Sequence, residues 1–176
     1  MIIPTLHTPD LIVRPILSTD APAMLNYASD PCVAFYRQWT AHTCIEDSAA
    51  FIQHHRDHGL LWAIIDKTSN SMIGDCGLTN ITPTTAEIHY TLTPEHWGKG
   101  FATQAATVVQ DFCFEQLVVQ ELQAWIITTH TRSLRVAHKL GMEPVLTLAN
   151  QWCIEDRLYD LAMYRTINKR GAYKTL

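Results

Sequence analysis

The sequence predicts a mixed α/β fold in which one mixed sheet carries helices on both faces, and three observations predict it. β-rich runs alternate with amphipathic helical runs along the chain. Two neighbouring apolar runs flank a short turn-forming cluster, as an antiparallel hairpin requires. A turn bearing two glycines then leads from the last strand of that group into the longest helix. With 176 residues, 47% hydrophobic and 17% charged, the chain suits one domain over 1–176 built on a single core.

Taken in order, Leu11 to Pro15 forms the first strand, and Ser18 has the side chain of an N-cap for a helix over 19–29 that puts Met24, Leu25 and Ala28 on one face. Thr43 and Glu46 have capping-box spacing and start a second helix near Cys44 that runs toward His58. Leu60 to Asp66 and Met72 to Thr79 are strands paired across the polar cluster Lys67 to Ser71, and Thr85 to Thr93 is a third strand after a turn at Pro83. Phe101, Ala105, Val108, Val109, Phe112 and Cys113 recur at helical spacing and mark a long helix with one buried stripe. Leu122 to Thr128 is a strand, and Arg132 to Leu140 is a helix stopped by Gly141. Glu143 to Leu148 and Leu158 to Arg165 close the sheet, giving the order β-αα-βββ-α-β-α-ββ.

Composition excludes several classes of function. No apolar run approaches the roughly 20 residues that cross a bilayer, so no membrane partner is expected. Met1 to Asp10 has neither the basic start nor the apolar stretch of a secretory leader, which points to the cytoplasm. A net charge of −4 argues against broad nucleic-acid affinity, so no direct nucleic-acid partner is expected. Cys32, Cys44, Cys76, Cys113 and Cys153 are scattered, odd in number and without a CxxC pair, which fits reduced thiols and no structural zinc. His54 and His58 share a helix face as two metal ligands would, but His55 stands where a zinc-hydrolase helix has Glu. We therefore expect no metal.

The segment Trp97-Gly98-Lys99-Gly100-Phe101-Ala102 is the strongest chemical signal. Its glycines let the backbone approach a ligand, and the helix that follows aims unpaired N–H groups and a positive dipole end at that point. An anion such as a pyrophosphate is the natural occupant, and turn geometry alone is the alternative use of the glycines. The glycine span is too short for a GxxxxGK[ST] loop, and Thr103 stands where a dinucleotide fingerprint needs its third small residue.

This order of elements resembles the GCN5-related N-acetyltransferase (GNAT) superfamily. Ala86-Glu87-Ile88-His89-Tyr90, Trp97 to Thr103, Ser133 and Lys139-Leu140-Gly141-Met142 are similar to its RimJ/RimL branch, as are Leu11 to Pro15 and Ser18 to Asp20. The resemblance implies a central mixed, mostly antiparallel sheet of about seven strands. It implies an enzyme that moves an acetyl group from acetyl-CoA to a primary amine by direct attack in a ternary complex. The acceptor is a protein N-terminal α-amine or a small-molecule amine. The rival reading is a non-catalytic acyl-CoA-binding module.

The resemblance also assigns residues. Trp97, Gly98, Lys99, Gly100, Phe101, Ala102 and Thr103 hold the pyrophosphate, and Lys99 either adds charge there or is a solvated loop lysine. Main-chain groups of Tyr90 to Thr93, Leu92 among them, align the pantetheine arm as an added strand. Glu87 is the first candidate for the general base, acting through water, or else a strand-end charge. His89, in a position where the branch has Gly, shares its strand face and either accepts the amine proton or narrows the acceptor pocket. Ser133 reaches the CoA sulfur or is a first-turn helix serine. His130 replaces the cofactor-contacting Asn, and Ala137 stands where many members have a Tyr acid. Tyr36 and Trp39 line the acceptor side. Trp152 and Tyr159 fit either ordinary core or the edge of a homodimer.

Overall fold

The computed structural model describes residues 3–37, 40–154 and 156–169. Its sheet has eight strands, one more than expected: β1 (Leu6–His7), β2 (Leu11–Pro15), β3 (Leu60–Asp66), β4 (Ser71–Thr79), β5 (Thr85–Leu92), β6 (Glu121–Ile127), β7 (Glu143–Ile154) and β8 (Arg157–Ile167). They lie in the order β1-β2-β3-β4-β5-β6-β8-β7. The extra strand is the two-residue β1, too short to leave an alternating pattern, which pairs antiparallel with β2 through Leu6 and Val13. Every neighbouring pair is antiparallel except β5 and β6. The helices are α1 (Ala21–Ala28), α2 (Pro31–Ala34), α3 (Ile45–His58), α4 (Phe101–Glu115) and α5 (Thr131–Lys139).

Alternation along β3 divides the core. Leu61, Ala63 and Ile65 face Met24, Tyr27 and Ile52 of α1 and α3. Trp62 and Ile64 face Ala105, Val109 and Phe112 of α4 on the opposite side. Trp62 is fully buried, meets Phe112 edge to face at 5.4 Å and donates from Nε1 to the Pro4 carbonyl at 2.9 Å. Burying side chains of this size contributes about 1.5–3 kcal/mol each.

Two helix starts differ from expectation. Ser18 lies within a 3₁₀ turn, Ser18–Asp20, and α1 begins only at Ala21 with Asp20 as its N-cap; the Asp20 carboxylate makes no cap bond to α1 and instead accepts from the Leu17 amide at 2.8 Å and holds Arg14 through two 2.7 Å contacts. At α3 the N-cap is Cys44, so the residue reaching back is Asp47 in place of Glu46. Its Oδ2 accepts from the amide of Thr43 at 2.8 Å and from that of Cys44 at 3.3 Å. The predicted hairpin of β3 and β4 forms with a bulge between Ile64 and Ile65. No described helix is long and apolar enough to cross a membrane.

Candidate active site

The site begins where the parallel pair comes apart. β5 and β6 share only three rungs, Thr85 with Glu121, Ala86 with Leu122 and Glu87 with Gln123. β5 then follows β4 as far as Leu92, and β6 follows β8 as far as Ile127. A cavity of about 430 Å³ is lined by residues 88–92 of β5 and 124–127 of β6. Along this stretch each strand lacks the partner the other would have provided, so backbone N–H and C=O groups on the facing edges remain available to an extended ligand.

At one end of the cavity stands the glycine turn. Gly98 has φ of 78° and Gly100 has φ of 85°, and a Cβ added at either would meet nothing within 4 Å. The left-handed backbone, and not crowding, therefore requires glycine at both positions. Gly100 is the N-cap of α4, no side chain caps the helix, and its first turn holds no acidic residue. The orphan amides thus face an open space suited to an anion. Trp97, Gly98, Gly100, Phe101, Ala102 and Thr103 line the cavity, as do Arg132, Arg135 and Lys139 of α5. The Arg132 guanidinium sits 4.1 Å over the Trp97 ring, which holds its charge beside the turn. Lys99 is exposed and outside the lining.

The end of β5 is already engaged by its own chain. The Leu92 carbonyl accepts from Trp97 Nε1 at 2.8 Å, and the Thr93 amide donates to the Ile73 carbonyl at 2.8 Å. Leu92 lines the cavity, whereas Thr93 does not; its hydroxyl pairs with His96 Nδ1 at 2.6 Å.

Across the cavity, Tyr90 and Ser133 meet. The phenol lies 2.9 Å from Ser133 Oγ and donates to the Ser133 carbonyl at 3.2 Å. Burial raises the phenol pKa above its ordinary value, so Tyr90 keeps its proton. His130 is the N-cap of α5, its Nδ1 accepting from the Ser133 amide at 3.5 Å. Its ring stacks on Tyr36 with centroids 3.8 Å apart. Burial, helped by the Arg132 charge, lowers its pKa to about 4, which keeps the imidazole neutral and able to accept. Ala137 is buried in the core.

Cys32, Val33, Tyr36, Arg37, His89, Thr91 and Trp152 also line the cavity. The His89 ring leans over Gly77, where an added Cβ would lie 2.5 Å from Nε2. Its Nδ1 stands 3.3 Å from Arg37 Nη2 and 3.7 Å from Oδ1 of the fully buried Asp75, whose Oδ2 accepts from the Tyr27 hydroxyl at 2.7 Å. Burial lowers the His89 pKa to about 4. Burial would raise the Asp75 carboxyl, but His89, the Arg37 charge and the Tyr27 hydroxyl together hold it below the ordinary carboxylate value. Asp75 is therefore a carboxylate beside a neutral imidazole, balanced by Arg37.

The structure thus gathers Tyr36, His89, Tyr90, Leu92, His130, Ser133 and most of the glycine turn around one space. Glu87 is part-buried, on the same face of β5 as His89, and outside the lining. Trp39 lies outside the described residues. Trp152 is a cavity wall, and Tyr159 packs edge to face against Phe35 at 5.9 Å. Arg37, Arg132 and Arg135 were not singled out from the sequence, and Lys139 entered only through the motif Lys139 to Met142 and without a site role; Arg132 and Arg135 in the polar stretch before Gly141 were the available signal. Among the described residues no group of three His, Cys, Asp or Glu side chains is placed to hold a metal ion, and His54 and His58 stack on each other at 4.6 Å.

Comparison with known proteins gives concordant results. The family model described as an acetyltransferase (GNAT) domain matches residues 10–143. The uncharacterized N-acetyltransferase p20 of Bacillus licheniformis is 30% identical over 96% of this chain and 98% of its own length. The ribosomal-protein-S5-alanine acetyltransferase of Vibrio fischeri superposes with a TM-score of 0.84 at 22% identity, covering 95% of this chain and 98% of that one. The spermidine N-acetyltransferase of Vibrio cholerae, solved with CoA and spermine, superposes with a TM-score of 0.83 at 17% identity, covering 93% and 99%.

Proposed function

Because the chain belongs to the acetyltransferase (GNAT) family, we propose that its cavity binds acetyl-CoA and passes the acetyl group directly to the α-amine of a protein N-terminus or a comparable monoamine. The observation that supports this most is the junction of the parted strands with an uncapped helix start. One feature suits an extended polar chain and the other a diphosphate, and they share one cavity. Gly98, Gly100 and the first-turn amides of α4 would hold the pyrophosphate, with Arg132 and its neighbours on α5 adding charge. The cofactor supplies an already activated acyl carbon, so most of the acceleration comes from holding the amine beside it, an effect worth roughly 7–11 kcal/mol in favourable cases.

The acceptor class follows from charge. Among the described residues the ionised side chains lining the cavity are Arg37, Arg132, Arg135 and Lys139, and none is acidic. With Arg37 balanced by Asp75 and the α5 cations turned to the pyrophosphate, a polyamine, as in the Vibrio cholerae relative, would find no lining carboxylate for its further charges, whereas a peptide α-amine brings a single charge and a backbone that fits a groove. This favours a RimJ/RimL-like role. Glu87 occupies the last shared rung before the cleft opens and takes the amine proton through water. The five free cysteines accord with the cytoplasm. The exposed Val145, Leu146 and Leu148 of the edge strand β7 accord with a homodimer, which sedimentation would test.

Calorimetry with CoA, followed by thiol release over a panel of N-terminal peptides, monoamines and spermidine, tests the reading. We expect binding, turnover with α-amines and little with spermidine. Failure to bind CoA overturns the cofactor assignment; binding without turnover on any acceptor favours the non-catalytic module.

A further inference from the structure

The hydrogen-bond inventory of the cavity wall assigns a role to the Tyr90 side chain. Tyr90 and Ser133 have one hydroxyl proton each, and three acceptors stand within reach: Tyr90 Oη, Ser133 Oγ and the Ser133 carbonyl. Two arrangements satisfy the pair. In the first, Tyr90 donates to the carbonyl at 3.2 Å and Ser133 donates back to Oη at 2.9 Å, so both protons are used within the pair. In the second, Tyr90 donates to Ser133 Oγ across the same 2.9 Å, and the Ser133 proton is released toward the cavity that both residues line.

We propose that Tyr90 is a positioning residue that turns Ser133 from a self-satisfied hydroxyl into a proton donor aimed at the leaving sulfur. This rests on the acetyl-transfer reading above. Once Glu87 has taken the proton of the ammonium form through water, the nitrogen–carbon bond forms and the carbon–sulfur bond breaks; Ser133 gives its proton to the sulfur and takes up the second proton, which the nitrogen sheds as it becomes an amide. The hydroxyl ends unchanged, and Tyr90 keeps its own proton throughout. Burial, which raises the phenol pKa, makes Tyr90 a lasting donor and not a source of protons. The His130 ring fixes the other side of Ser133 by accepting from its amide, so the hydroxyl is held between strand and helix.

The test needs no turnover. The thiol of bound CoA is titrated by the ultraviolet absorbance of its thiolate; a donor aimed at sulfur stabilises the thiolate and lowers that pKa. Tyr90→Phe should raise the bound thiol's pKa by about 1 unit, and lower kcat about tenfold with KM for acetyl-CoA unchanged, since one unit and tenfold are the same free energy. Ser133→Ala, which leaves the phenol in place, should raise the thiol's pKa at least as far. Tyr90→Phe added to Ser133→Ala should change nothing more. An unmoved thiol pKa in either single variant, a loss confined to KM, or additive losses in the double variant would overturn the assignment. Wild-type binding of CoA, measured beside them, reports separately on the acetyl-transfer reading.

Discussion

His130 shows how one side chain stands in for another of different chemistry. Its Nδ1 caps α5 and its ring stacks on Tyr36, and neutrality at ordinary pH is the condition for the cap. His130→Asn keeps a good capping oxygen and loses the stack, whereas His130→Ala loses both and should cost about 1–2 kcal/mol in urea unfolding. The expected ordering is wild type near Asn, both above Ala. The role of Glu87 is tested by the pH-rate profile: Glu87→Gln should lower kcat up to about 10²-fold below the amine's own pKa. An unchanged profile would remove it from the base role. Little of the environment of His89 was legible beforehand, because Gly77, Asp75, Tyr27 and Arg37 are brought to it by sheet register and helix packing and not by spacing along the chain. The glycine turn was legible because its chemistry is local: two positive-φ residues and a helix start within five positions.

At the scale of elements, β4 depends on two glycines for different reasons. A Cβ on Gly74 would lie 2.0 Å from the Thr91 carbonyl, which is backbone and cannot yield without breaking the β4–β5 rung. At Gly77 it would meet the His89 ring at 2.5 Å and the Leu60 carbonyl at 2.8 Å. Gly74→Ala should therefore lower stability by at least about 1–3 kcal/mol, and Gly77→Ala should also move His89 and shift acceptor KM, by thermal melts and steady-state kinetics. Gly98→Ala and Gly100→Ala meet no neighbour, so each should cost only about 1–2 kcal/mol from the left-handed backbone while weakening CoA binding in calorimetry. Long strands and the amphipathic α4 were legible from period and burial. The short α2 gave too few residues for a period, and β7 continues to Ile154, past the expected end at Leu148, because pairing with β8 and not its own pattern holds it.

For the whole molecule, acid is the relevant stress. An unfolded chain protonates its histidines as pH falls through about 6.5. His89 and His130 in the fold hold out to about 4, and burial lowers His42 and His55 in the same sense. Between those values the unfolded state binds more protons, so stability falls as pH drops from 7 toward 4. The melting temperature should decline over that interval, and His130→Asn should flatten the decline. A constant melting temperature from pH 7 to 5 would contradict the neutral imidazoles.

With so few rungs fastening β5 to β6, the sheet is in effect two leaves stitched at one corner. A molecule lying between them along its length would serve as the missing thread. Deuterium uptake by amides 88–91 should then slow far more on adding CoA than uptake in β2 or β3, so that occupancy is read as stiffness of the seam.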